Sequence, residues 1–92
     1  MGEFQEAVEI IYHELSIAPS PQLYTLAGIT FAKMGKYRRA IDVFNAVLES
    51  DPQNVRALYN LSVAYEKMRQ FEKADRILKR AEKLRQLKEK NQ

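Results

Sequence analysis

Gly35-Lys36-Tyr37-Arg38-Arg39-Ala40, running on through Phe44 and Leu48 to Pro52, is the stretch on which the fold turns, because the chain contains it three times. Thirty-three residues earlier stands Gly2-Glu3-Phe4-Gln5-Glu6-Ala7, reaching Ile11, Leu15 and Pro19. Thirty-four residues later stands Arg69-Gln70-Phe71-Glu72-Lys73-Ala74, reaching Leu78. A second motif lies between them. Tyr24, Ala27, Gly28 and Phe31 correspond to Leu58, Leu61, Ser62 and Tyr65, again 34 residues on. Self-similarity at this period marks a stacked array of small supersecondary units.

Each copy is helical. Leu23, Leu26/Ala27, Thr30/Phe31 and Met34 recur at three- and four-residue spacing, as do Tyr37, Ala40/Ile41, Phe44 and Val47/Leu48, and Leu58, Leu61/Ser62 and Tyr65. Such stripes form one face of a helix and do not fit strand alternation. Pro21 suits a first helical turn, Gly35 suits a left-handed residue between helices, and Ser50-Asp51-Pro52 stops a helix before its proline. The pattern predicts five helices at about 3–18, 21–34, 37–50, 55–68 and 71–90, antiparallel to their neighbours because the loops are short. Gly28 and Ala40 are expected to let two helices approach closely, with Tyr24, Phe31 and Phe44 filling the space beside them. Ser62 and Ala74 are expected to act likewise in the next pair.

These motifs resemble the tetratricopeptide repeat family, whose pattern is a large residue, Leu-Gly and an aromatic in one helix, then Ala, Phe and a closing Pro. Residues 21–54 fit it well, with Tyr24 as the large residue and Ala27 in place of Leu. Residues 55–88 fit with Ser62 for Gly, Arg69 for the turn Gly and Gln86 for Pro, while 2–20 fit only the second half of a unit. The resemblance implies an all-α fold, a right-handed superhelix of antiparallel helix pairs. Residues 1–92 are then one domain: a half repeat over 2–20 and full repeats over 21–54 and 55–88, with the last helix extended to about 90.

Composition excludes several classes of function. Ninety-two residues suffice for one domain but not for a large cavity. The absence of cysteine removes disulfides, thiol catalysis and thiolate metal sites. His13 is the sole histidine, so no His-based triad or metal set can form, and it is expected to face solvent. Carboxylates are scattered singly, and no glycine-rich loop follows a strand. No metal, cofactor, small-molecule substrate or enzymatic activity is expected. No apolar run approaches the roughly 18 residues of a membrane span and no signal-peptide core is visible, so the expectation is a cytoplasmic protein without membrane contact. The net charge of +3 is uneven: residues 69–92 carry +5 and residues 1–68 carry −2. Lys79, Arg80, Lys83, Arg85, Lys88 and Lys90 could suggest nucleic acid. Their spread around the last helix, with Glu82 and Glu89 between them, fits a solvated capping helix better.

The two ends differ. With Gln86 where Pro would close the unit, the last helix can run on, its Ile77/Leu78, Ala81 and Leu84 covering the preceding pair. The first helix carries Phe4, Val8, Ile10, Ile11, Tyr12, Leu15 and Ile17 without the partner helix of its own unit. Either the chain belongs to a longer array or this face is buried against another copy. Phe4, Val8, Ile11, Tyr12 and Leu15 are thus candidates for self-association into a homo-oligomer.

The resemblance also implies that the first helix of each pair lines a concave groove for another protein or peptide. Once the packing stripe is set aside, the groove candidates are Gln22, Thr25, Ile29 and Lys33, then Arg56, Tyr59, Asn60, Val63 and Lys67. Tyr59, Ile29 and Val63 offer apolar contact, Asn60 can hydrogen-bond a peptide backbone, and Arg56, Lys33 and Lys67 favour a carboxylate. The expected function is a protein–protein interaction module or scaffold, with an acidic partner segment favoured. Some relatives grip the C-terminal carboxylate of heat-shock chaperones with a Lys/Asn/Arg clamp. Asn60 fits one slot of that clamp, but Thr25 and Ile29 occupy slots that need Lys and Asn, so this clamp is not expected.

Overall fold

The structure, a computed structural model, describes residues 2–91, so residues 1 and 92 of the expected domain lie outside it. Five α-helices follow one another: α1 (Gly2–Ile17), α2 (Pro21–Lys33), α3 (Tyr37–Ser50), α4 (Val55–Lys67) and α5 (Phe71–Lys90). No strand occurs among the described residues. Every expected helix is present, with ends within one residue of those read from the periodicity. Each helix packs on the next in sequence, and α2 also touches α4, which builds a slab measuring 40 × 31 × 19 Å.

Local chemistry explains where the helices begin. Ser20 is extended, and its hydroxyl oxygen accepts the Leu23 N–H at 3.1 Å, with Pro21 in the first turn. Asn54 caps α4 in the same way, accepting the Ala57 N–H at 2.9 Å. Each of these caps satisfies a donor that the helix itself leaves orphaned.

The turns inside the two full pairs are copies of one another. Gly35 has φ +78, and the Lys36 N–H donates back to the Phe31 carbonyl at 2.9 Å. Arg69 takes glycine's place with φ +62, and the Gln70 N–H donates to the Tyr65 carbonyl at the same distance. This wrapped C-terminal closure needs a left-handed residue, which glycine adopts freely and arginine adopts at a cost of roughly 1–2 kcal/mol.

Packing within the first full pair rests on one close approach. A Cβ on Gly28 would lie 2.8 Å from Cζ and 2.9 Å from Cδ1 of Phe44, a ring that is itself only 1% exposed. Ala27 and Ala40 are wholly buried beside it. In the second pair Ser62 and Ala74 hold the equivalent places, both buried, and the Ser62 hydroxyl donates to the Tyr59 carbonyl at 2.7 Å. The core runs from Val8 of α1 through Phe31, Ala40, Ile41 and Phe44 to Leu61 and Ala64 of α4, with Ile77 of α5 packed against it.

The first helix corrects the sequence reading. Val8, Ile11 and Leu15 are 5–6% exposed, because α2 covers them: Val8 joins the main core, and Ile11 and Leu15 pack with Ala27, Leu23 and Tyr24. They are therefore core residues and not a free self-association face. Phe4 and Tyr12 do remain accessible, Tyr12 leaning on Phe31 with ring centroids 6.1 Å apart. The outward apolar residues of α1 are instead Ile10 and Ile17, 63% and 67% exposed. At the other end, Ala81 is fully buried and Leu84 half-buried, while α5 continues exposed through Lys90. Arg80 ties it back, donating to the Pro52 carbonyl at 3.1 Å.

Candidate functional site

Stacking two helix pairs at a slight rotation leaves a trough along their first helices. Here it lies between α2 and α4, with α3 as its floor. Ile29, Lys33, Asn60, Val63 and Lys67 converge on a cleft of about 180 Å³. They come from the expected set, and their spacing explains the convergence: residues four apart share a helix face, so Ile29 and Lys33 oppose Asn60, Val63 and Lys67. Ala32, Tyr37, Phe44 and Ala64 complete the lining. Sequence reasoning reserved Tyr37 and Phe44 for packing and assigned no role to Ala32 and Ala64. Tyr37 and Phe44 belong to α3, the floor helix.

The other expected residues lie elsewhere. Thr25 is 4% exposed and is part of the interior, so it cannot contact a partner in the groove. Its burial follows from position: α2 is flanked by α1, α3 and α4, which leaves it little free surface. Gln22 and Arg56 are exposed near the starts of their helices and do not line the cleft. Tyr59 lines a different hollow on the far side of α4, which Val63 shares.

The electrostatics of the groove are simple. Lys33 and Lys67 are its only charged lining residues among the described ones, and both are exposed. They sit over an apolar floor, with the half-buried Asn60 carboxamide between them in chain order. Such a surface can hold apolar side chains and pair with carboxylates. No group of three His, Cys, Asp or Glu side chains able to hold a metal occurs among the described residues. His13 is exposed on α1. No helix among the described residues is long and apolar enough to cross a membrane.

An array of antiparallel helix pairs with an open trough along the first helices defines a helical-repeat protein. A family model described as tetratricopeptide repeat matches residues 31–88, more than half of the chain, and the chain belongs to the tetratricopeptide repeat family. Solved structures agree. One of MamA superposes with a TM-score of 0.89 at 22% identity, covering 96% of this chain and 52% of that one. Another, MamA MSR-1 C2, gives 0.86 at 22% identity over 94% and 50%, and a third MamA structure gives 0.84 at 22% identity over 96% and 49%. The chain thus spans about half the length of those proteins, and at this identity the likeness is one of fold. No curated protein matches the chain in sequence. The family's fold implies a protein–protein interaction module, and its members are typically not catalysts.

Proposed function

We propose that this protein holds an acidic segment of a partner protein, extended or helical, in the groove between α2 and α4. The observation that carries the reading is the pairing of Lys33 and Lys67 over an apolar floor that no carboxylate lines. Apolar contacts with Ile29 and Val63 supply the burial, and Asn60 is placed to bond the partner's backbone. The two ammonium groups then select the sign of the partner's charge more than they add raw affinity.

The test is a titration of two labelled peptides that share apolar residues and differ only in carrying Glu or Lys, followed by amide chemical shifts. The acidic peptide is expected to bind more tightly and to move the amides of Ile29, Lys33 and Lys67. Tighter binding of the basic peptide at those same amides sinks the proposal.

A second reading, self-association through α1, is supported by the exposed Ile10 and Ile17, seven residues apart on one face of the helix. Against a symmetric α1–α1 contact stand Glu3, Glu6, Glu9 and Glu14, with no Lys or Arg in the helix. Light scattering over a wide concentration range separates the two, with Ile10→Glu as the diagnostic change because Ile10 is exposed and Ile11 is not.

A further inference from the structure

The repeat contains its own precedent for an open site at the α4/α5 end. Inside the array, α4 lies on the α2/α3 pair, with Asn60, Val63 and Ala64 lining one cleft together with Ile29, Tyr37 and Phe44. Thirty-four residues on, those last three positions become Val63, Phe71 and Leu78. They line a cleft of about 360 Å³ that no helix among the described residues covers. Val63 is 50% and Phe71 56% exposed there, so the apolar half of a helix-stacking interface is retained on this face of α4 and α5.

Two positions have changed character. Ala32 becomes Glu66 and Ile41 becomes Asp75, and both acids line the cleft. Ile41 is 8% exposed within the core, whereas Asp75 is exposed and paired only with Lys79 of its own helix, at 3.0 Å. Acids on an exposed face serve solubility, and that accounts for two polar substitutions. It does not account for the retention of Val63, Phe71 and Leu78 between them. An apolar strip bordered by carboxylates complements a helix whose apolar stripe is bordered by cations.

The described residues do not cover this face in the way they cover the earlier one. Ser50-Asp51-Pro52 ends α3 and turns the backbone toward α4, but the equivalent Leu84-Arg85-Gln86 continues α5 without a break. α5 thus runs six residues past the turning point, about 9 Å at 1.5 Å per residue. The geometry points to a docking site, filled in trans by an amphipathic helix of a partner protein bearing an Ala/Leu stripe flanked by Lys or Arg. It is a different surface from the groove, of opposite charge, and it stands even if the groove proposal fails.

The probe is a capped, labelled peptide with the sequence of residues 54–68, which forms α4 and fits the equivalent upstream site. One version carries Asn60→Lys and Glu66→Lys; its control carries Asn60→Glu and Lys67→Glu. Anisotropy gives affinity, and circular dichroism reports helix formation on binding, since a free peptide of this length is mostly disordered. The lysine version is expected to bind at least tenfold more tightly than the control and to gain helicity. Binding should fall at least tenfold with Phe71→Ser and again with Asp75→Lys. Both residues are exposed, so the fold should persist, as far-UV circular dichroism of the protein checks. Lys33→Glu/Lys67→Glu in the groove should leave binding of the lysine version undiminished. No binding of the lysine version, binding indifferent to Phe71→Ser and Asp75→Lys, or loss only with the groove variant overturns the proposal. So does a dimer that Phe71→Ser dissociates, since the site would then take a second copy.

Discussion

Replacing Gly28 by alanine sets two opposing effects against each other. In an exposed helix the change should stabilise by about 0.8–1 kcal/mol, because alanine is the better helix former. Here the added methyl meets the edge of the Phe44 ring, with Cζ at 2.8 Å and Cδ1 at 2.9 Å. The ring has little freedom to move aside, since Ala40, Leu61 and Ala64 of the same cluster are 0–3% exposed. Overpacking of this kind costs about 1–3 kcal/mol, and a clash with several atoms of a confined ring belongs in the upper part of that range. The net expectation is a loss of about 1–2 kcal/mol, which for a domain of this size lowers Tm by roughly 5–10 °C. Urea unfolding followed at 222 nm measures it.

The second repeat supplies a control, because Ser62 and Leu78 stand where Gly28 and Phe44 stand, and both line one hollow. Gly28→Ser with Phe44→Leu should therefore be less damaging than the sum of the single changes, by about 1 kcal/mol of coupling. A Gly28→Ala protein more stable than the parent, or strict additivity in the double variant, would refute the account of the close approach.

Other changes test other links. Asn54→Ala removes the side chain that accepts the Ala57 N–H, and should cost about 1 kcal/mol in the same unfolding assay. Gly35→Ala forces a Cβ into a backbone at φ +78 and should cost about 1–2 kcal/mol, although no atom lies within 4 Å of that Cβ. Ile11→Glu buries a carboxylate in the α1–α2 contact and should unfold the first helix, seen as lost ellipticity. Ile10→Glu, one residue away but exposed, should leave ellipticity unchanged.

Much of the fold was legible because the signals that define it are local and repeated. The three- and four-residue stripes, Pro21, Gly35 and the Ser50-Asp51-Pro52 stop locate all five helices. The pairing of Gly28 with a large partner is visible as a small residue in phase with an aromatic one. The site was legible in part. Ile29, Lys33, Asn60, Val63 and Lys67 stand at helical spacing on two neighbouring helices, so their convergence follows from the repeat.

Thr25 and Tyr59 show where the reasoning ran short. They are the same position of the repeat, 34 residues apart, yet Thr25 is buried within the array and Tyr59 borders the open end of it. Sequence phase gives the position in a unit, but exposure depends on whether another pair stacks beyond it. The same gap explains Val8, Ile11 and Leu15. No helix of their own unit stands beside them among the described residues, but α2 of the following unit covers them. Phe71 and Leu78 escaped notice as surface because their counterparts Tyr37 and Phe44 have α4 beside them.

Whether the groove holds an acidic segment is most directly tested by the affinity of a labelled acidic peptide for the parent protein and for Lys33→Glu/Lys67→Glu. The account predicts at least a tenfold weaker complex with the double variant, equivalent to about 1.4 kcal/mol, at unchanged helicity. An affinity that stays the same, or rises, would contradict it.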